Sequence, residues 1–192
     1  MRFALAVAAS LVLVVAAGAS TQATRVKIYR PLDGGDLIPT LHITSKVDGN
    51  CVSGSAANSR SDAWRCSIGS RVVDPCFSDP KAHTWVACPS DGTPFGLGII
   101  RLHIQKPLPM KRRSHGVAGE GSPWAIRLAG GTVCTFRTGA TFSFHGKRVN
   151  YDCSKSGFLA GGPNFSFPTW TITLGTSRTS SPKQAQILVA AW

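Results

Sequence analysis

The sequence lacks the residues and spacings on which most enzyme classes depend. Glu120 is its only glutamate, and nine acidic residues stand against 21 lysines and arginines. There is no G-x-S-x-G turn for a serine hydrolase and no H-E-x-x-H pair for a zinc protease. The six cysteines include no C-x-x-C pair, which disfavours a thiolate zinc site. We therefore expect no metal and no other cofactor, and we favour a binding protein over an enzyme.

Long apolar runs are also missing, with one exception at the start of the chain. After Met1-Arg2, residues 3–17 are almost wholly apolar, and a small-residue site, Ala17-Gly18-Ala19, follows. This order predicts a signal peptide over residues 1–19 and a mature chain that begins near Ser20. The apolar run has about 15 residues, fewer than the ~20 that span a bilayer, although an uncleaved anchor is the alternative. We expect a secreted or cell-envelope protein that is monomeric and has no later membrane span. The Ala-rich leader is typical of bacteria.

Six cysteines follow the predicted leader. The even number and the predicted export favour disulfide bonds, because exported chains mature in an oxidising compartment. Six cysteines allow fifteen pairings. We favour the sequential pattern, in which each bridge closes a short, turn-rich loop: Cys51 with Cys66, Cys76 with Cys88, and Cys134 with Cys153. Each such bridge is expected to stabilise the fold by about 2–4 kcal/mol.

Alternation of apolar and polar residues predicts β-strands along the mature chain, and a helical period is absent. Clear examples are residues 100–104, 149–153 and 170–174. Twenty glycines and 12 prolines supply turns between such strands. The predicted turns are Asp48-Gly49, Asp91-Gly92, Gly130-Gly131, His145-Gly146 and Gly161-Gly162. The sequence predicts an all-β, disulfide-stapled sandwich or barrel, either as one body or as two small packed lobes.

A basic segment rich in Pro and Gly, residues 106–122, separates two regions that differ in cysteine content. Residues 20–105 contain four cysteines and form the predicted N-terminal lobe, and residues 123–192 contain two and form the C-terminal lobe. Without Arg2 of the leader, 20 basic residues face nine acidic ones, a net charge of +11. Of this charge, +2 belongs to the first lobe, +3 to the loop and +6 to the second lobe. Such a field attracts polyanions: nucleic acid, acidic wall polymers or anionic lipid headgroups.

The candidate ligand-binding residues are cations within and after this loop. They are Lys111, Arg112, Arg113, Arg127 and Arg137. Arg127 and Arg137 fall on two strands that a Gly130-Gly131 turn would connect, so we expect both side chains on one face. Phosphate contacts by such residues give salt-dependent binding that does not depend on sequence. Phe165 and Phe167, in a Gly- and Pro-rich stretch, are the aromatics for which we expect exposure.

Two alternatives to a non-catalytic binding module remain open. A small secreted hydrolase of glycans or phosphodiesters needs two facing carboxylates, or two histidines and a lysine around a phosphate. The candidate carboxylates are Asp62, Asp74 and Asp152. A module that binds or inhibits another protein needs a protruding loop held by disulfides, for which residues 54–61 are the candidate. No spacing in the sequence identifies catalytic residues.

The motifs around the cysteines resemble those of secreted six-cysteine proteins of high-GC Gram-positive bacteria. The similar runs are residues 49–51, 62–66, 74–77, 88–89, 133–141, 149–153 and 170–171, together with Trp124. The resemblance covers most of the mature chain and implies export, paired cysteines and a single module. That family has no known activity, so the resemblance implies no substrate and no catalytic residue. From the net charge of +11 and the lack of a catalytic signature, we expect a non-catalytic binding module for an anionic polymer or another component of the cell envelope.

Overall fold

The computed structural model describes residues 22–82, 84–109, 121–155 and 157–192. The leader predicted for residues 1–19 and most of the predicted loop 106–122 lie outside this part of the chain. Within it, the backbone forms strands and turns and no helix, which confirms the predicted all-β class. The strands are β1 (Arg25–Lys27), β2 (Leu32–Asp33), β3 (Asp36–Leu37), β4 (His42–Gly54), β5 (Ala63–Ile68), β6 (Arg71–Phe77), β7 (Trp85–Pro89), β8 (Gly98–Ile104), β9 (Ala125–Leu128), β10 (Val133–Phe136), β11 (Ser143–Phe144), β12 (Lys147–Cys153), β13 (Phe158–Asn164), β14 (Thr171–Gly175) and β15 (Lys183–Ala191).

Strands β4 to β8 close into a small N-terminal barrel. Successive strands are antiparallel, whereas β4 and β8 pair in parallel and complete the ring. Apolar side chains fill its interior, including Val73, Val86 and Leu102. Ile100, Leu102 and Ile104 of β8 are buried while His103 is exposed, as the alternation of this segment predicts.

Gly49 lies within β4, so the turn predicted at Asp48-Gly49 is wrong. Strand β4 pairs with β8 as far as Gly49 and with β5 from Asn50 onwards. At this change of partner, a Cβ on residue 49 would lie 2.2 Å from the carbonyl oxygen of Ser67 and 2.7 Å from Leu102 Cδ1. Glycine therefore serves the close approach of three strands here, and not a reversal of the chain.

Six strands form a second, C-terminal barrel in the order β15-β14-β13-β12-β10-β9, which the pairing of β15 with β9 closes. Strand β15 pairs with β14 through residues 183–186 and with β9 through residues 187–191. Strand β1 adds in parallel to the end of β15, and β11 is a short addition to β12. Two small closed barrels stapled by disulfides match the predicted barrel of two lobes.

Gly161-Gly162 is a bulge and not the predicted turn. The pairing of β13 with β14 is interrupted between Ala160 and Asn164, and Gly161 has a φ of 73°. The chain reverses a few residues later, in the segment 165–170 that connects β13 to β14. The turns predicted at Asp91-Gly92, Gly130-Gly131 and His145-Gly146 are confirmed.

One apolar cluster contains residues of both barrels and joins them. The ring of Phe77, at the end of β6, lies 6.1 Å from that of Trp124, which precedes β9. Tyr29 packs against both rings, with centroid distances of 5.3 Å to Phe77 and 5.9 Å to Trp124. Because β1 precedes Tyr29 and pairs with β15, the N-terminal end of the described chain belongs to the C-terminal barrel.

The three disulfides join the cysteines in the predicted sequential pattern. Cys51–Cys66 links β4 to β5, Cys76–Cys88 links β6 to β7, and Cys134–Cys153 links β10 to β12. Three such bridges indicate an oxidising, extracellular compartment. In the part of the chain that the structure describes, no helix is long and apolar enough to cross a bilayer.

Candidate functional site

Three cations converge in a groove of about 340 Å³ where the C-terminal barrel meets the loop between β7 and β8. Arg25 and Lys27 come from β1, and Arg127 comes from β9. The other described residues of its lining are apolar: Val26, Phe95 and Val189. We call this site the cationic groove. None of the described residues that line it is acidic, so it presents an uncompensated positive surface.

Strand register explains why these cations lie together. Residue Val189 of β15 pairs with Arg25 of β1 on one side and with Arg127 of β9 on the other. The three residues therefore form one row across the sheet, with side chains on the same face. Arg25 and Lys27 are two positions apart on β1, and alternation places them on one face as well.

The ammonium group of Lys27 is held at the groove by a backbone contact, although the residue as a whole is exposed. Its Nζ donates a hydrogen bond to the carbonyl oxygen of Pro94, at 2.6 Å. Burial lowers the pKa of the Lys27 ammonium group, and the positive charge of Arg127 lowers it further. An anion bound in the groove would oppose both effects, because a negative charge favours the charged form of the amine.

Arg127 is oriented by an aromatic ring of the other barrel. Its guanidinium carbon lies 4.4 Å from the centroid of the Phe95 ring, in the loop between β7 and β8. Stacking of this kind fixes the plane of the guanidinium group and holds its charge at the groove. Asp91, an acidic residue of the same loop, accepts hydrogen bonds from the backbone N–H and the hydroxyl of Thr93.

The structure separates the predicted ligand-binding residues. Arg127 lines the cationic groove. Arg137 follows β10 and shares the face of Arg127 by strand register, but its Nη1 donates to Asp152 Oδ1 at 3.1 Å. The other three predicted cations, Lys111, Arg112 and Arg113, lie outside the described residues. Arg25 and Lys27 were not predicted as site residues, although their alternation with Val26 and Ile28 was the available signal.

A second cleft, larger than the cationic groove, has mixed charge. It measures about 710 Å³ and is lined by Arg30, Asp33, Asp79 and the pair Arg60 and Asp62, among other residues. Arg60 Nε donates to Asp62 Oδ1 at 2.9 Å, Arg60 Nη2 donates to Asp62 Oδ2, and Arg60 Nη1 donates to the carbonyl oxygen of Tyr29. Because carboxylates balance the arginines, this cleft is less suited to a polyanion than the cationic groove.

The three carboxylates proposed for glycan hydrolysis bind separate partners. Asp62 pairs with Arg60, and Asp152 pairs with Arg137. The carboxylate of Asp74 accepts hydrogen bonds from the Ser55 hydroxyl and from the backbone N–H of Ala56. Burial raises the pKa of Asp74, while these hydrogen bonds and the charge of Arg65 act in the opposite direction.

One histidine lies beside a carboxylate and two cations. His103 Nδ1 and Asp48 Oδ1 are 3.0 Å apart on the exposed face of the N-terminal barrel. Lys46 and Arg101 line the same shallow depression of about 200 Å³, since the parallel pairing of β4 with β8 brings the four residues together. The described lining holds a single histidine, whereas phosphodiester cleavage of the expected kind uses two. His83 and His115 lie outside the described residues.

Residues 54–61, the candidate inhibitory loop, pack inward, so the prediction of a protruding loop is wrong. Ser55, Ala57 and Asn58 are buried. The Ser55 hydroxyl accepts hydrogen bonds from the backbone N–H groups of Ala57 and Asn58, at 3.0 and 2.9 Å. The loop thus folds around its own serine and packs into the apolar core through Ala57.

Comparison with known proteins brought no match: no family model fits the chain, and no curated protein or solved structure is significantly similar to it.

Proposed function

We propose that this protein is an exported, non-catalytic module that binds a linear anionic polymer of the cell envelope in the cationic groove. The observation that carries the proposal is the convergence of Arg25, Lys27 and Arg127 in one groove whose described lining has no acidic residue. Export belongs to the proposal and is supported by the leader predicted for residues 1–19 and by the three disulfides.

The apolar floor of the groove favours a polymer over a small ion. Val26, Val189 and Phe95 lie among the three cations, so a ligand with charged groups separated by apolar ring faces would match the lining. Sugar rings that carry carboxylate, sulfate or phosphate groups have this chemistry. Pairing of fixed charges in the groove releases counterions from the polymer, and this release drives binding at low salt.

The number of cations sets the expected salt dependence. Each polymer charge that is neutralised contributes about 0.7–0.9 to the slope of log affinity against log salt concentration, so three cations contribute roughly 2–3. The test measures this slope by fluorescence anisotropy with two labelled probes, a heparin oligosaccharide and a single-stranded DNA. Arg25→Gln combined with Arg127→Gln should lower the slope by about 2 for either probe.

A control pair of substitutions distinguishes the effect of charges in the groove from the effect of the net charge of the protein. Arg71→Gln combined with Arg178→Gln removes the same charge from two exposed positions outside the groove. This control should leave the slope nearly unchanged. If it lowers the slope as much as the groove variant does, or if the unmodified protein fails to bind either probe at low salt, the proposal is wrong.

A further inference from the structure

The connection between β13 and β14 presents two phenylalanines to solvent. Phe165 is 51% exposed and Phe167 is 69% exposed. The connection is held by its own contacts: Asn164 Oδ1 accepts the N–H of Ser166 at 3.0 Å, and the Phe165 ring lies edge-on to Trp170 at 4.6 Å. The two rings are therefore displayed on a structured hairpin, which agrees with the exposure expected from the sequence.

Strand β1 extends this apolar surface. Thr24 donates its backbone N–H to the carbonyl oxygen of Pro168 at 2.9 Å, and its hydroxyl accepts the N–H of Trp170 at 2.8 Å. Val26 and Ile28, which follow, are 55% and 52% exposed. They alternate with Arg25 and Lys27 along β1. Val26 also contributes to the lining of the cationic groove, whereas Ile28 does not.

The rings of Trp170 and Trp192 connect the phenylalanine hairpin to the segment that contains Val26 and Ile28. Their centroids are 5.9 Å apart and edge-on. Trp192 donates its N–H to the carbonyl oxygen of Lys27 and accepts the N–H of Tyr29, so its backbone bonds lie on either side of Ile28. We call Val26, Ile28, Phe165 and Phe167 the apolar tip.

The chain segments that form the apolar tip carry charge of one sign. Residues 22–32 and 157–192 contain no Asp or Glu, and Arg25 directly follows the residue that is bonded to the hairpin. A second cation, Lys147, lies beside β13, since its side chain is the nearest group to a Cβ placed on Gly161. Aromatic rings on segments that carry cations and no carboxylates match the interface of a bilayer with anionic headgroups.

A protein partner fits this surface less well. A stable protein interface covers about 800 Å² on each side. The tip offers four side chains, each already about one third to one half covered, two of them on a narrow hairpin. A bilayer interface requires no such area, because rings at a protruding tip enter the headgroup region individually.

We propose that the apolar tip inserts into the interfacial region of a lipid bilayer that carries anionic headgroups, as a second binding surface beside the cationic groove. The bilayer contact depends on Phe165 and Phe167, and the polymer contact depends on Arg25 and Arg127. The protein would thereby hold an anionic polymer against a membrane surface.

The experiment is co-sedimentation with vesicles of phosphatidylcholine mixed with phosphatidylglycerol, and with phosphatidylcholine alone. We expect binding to the mixed vesicles and a loss of tenfold or more in partitioning for Phe165→Ser combined with Phe167→Ser, since burial of each ring is worth roughly a factor of ten. The matched control is Val52→Ser combined with Val72→Ser, two valines of the N-terminal barrel that are 64% and 50% exposed. This control should bind vesicles as the unmodified protein does.

A second measurement reports insertion directly. The emission added by Phe167→Trp should shift to the blue with mixed vesicles and should be quenched by lipids brominated on their acyl chains. Heparin binding by the double phenylalanine variant should be unchanged, which separates this proposal from the polymer-binding one. Absence of vesicle binding by the unmodified protein, equal binding by the double variant, or a dimer in sedimentation that the double variant abolishes would each overturn it.

Discussion

Arg25 and Arg127 lie on opposite sides of Val189, each in register with it, although they are more than one hundred residues apart in the chain. Two strand spacings separate their backbones, a distance of roughly 10 Å. The parallel addition of β1 to β15 creates this relationship, because it places β15 between β1 and β9. The residue between the two arginines, Val189, is uncharged. The row is the geometric basis of the cationic groove.

The row predicts the effect of a charge placed at its centre. In Val189→Glu, a carboxylate would lie one strand spacing from each arginine and would compete with the polymer for both. We expect heparin affinity at fixed low salt to fall roughly tenfold, which corresponds to about 1.4 kcal/mol. Anisotropy titration measures the change, with Val189→Gln as the control of similar size. Equal affinities of the two variants would show that residue 189 is not between the cations.

We predict that polymer binding weakens at alkaline pH because Lys27 loses its charge. Because its pKa is lowered from 10.5, the groove loses one positive charge at a pH where ordinary lysines are still protonated. Heparin affinity should therefore begin to decline before the other lysines titrate, and binding in that range should take up a proton. Lys27→Arg keeps the charge and should remove the early decline. Titrations across this pH range compare the two proteins, and superimposable profiles would speak against a groove role for Lys27.

We predict that ionisation of the buried Asp74 lowers the stability of the folded protein as pH rises from acid towards neutral. Burial raises its pKa, so the folded protein binds this proton more tightly than the unfolded chain does. The free energy of unfolding should then decrease between about pH 4, where a free aspartate titrates, and the raised pKa of Asp74. Thermal unfolding of the protein and of Asp74→Asn from about pH 4 to 7 measures the difference. The stability of the unmodified protein relative to the variant should fall with pH, and a constant difference would refute the assignment.

We predict that the stability of the fold depends strongly on the size of the side chain at position 49. A Cβ at this position meets a backbone carbonyl oxygen, which cannot move without distorting β5, so Gly49→Ala should cost about 3 kcal/mol or more. Gly162→Ala is the matched control, because a Cβ on Gly162 meets nothing within 4 Å. That control should change the free energy of unfolding by less than about 1 kcal/mol. Urea unfolding of both variants provides the measurement, and similar stabilities would contradict the close approach of the three strands.

Local patterns in the sequence predicted the local features of this fold. Period-two alternation identified β8 and β12, and the spacing of turn-rich segments favoured the three disulfides that join neighbouring strands. Asp48-Gly49 shows where the local signal fails. The same dipeptide is typical of a tight turn, but Gly49 here lies where β4 changes partners, and only the tertiary arrangement distinguishes the two uses.

Long-range pairing explains why most of the candidate site was not predictable. Arg127 was identified from its charge and its strand, yet Arg25 and Lys27 join it only because β1 pairs with a strand near the other end of the chain. The stacking of Arg127 on Phe95 depends in turn on how the two barrels pack. Nothing in the sequence around residues 25–27 encodes either contact, since both arise from segments that are distant in the chain.

The parallel pairing of β1 with β15 also determines when the groove exists. Strands β4 to β8 can pair among themselves once residues 42–104 are available, whereas the C-terminal barrel closes only after residues 187–191 reach β9 and β1. Contacts between such remote segments form late, because the intervening chain must be ordered first. The N-terminal barrel can therefore close while the cationic groove is still incomplete, because Arg25 and Arg127 come into one row only when β15 lies between them.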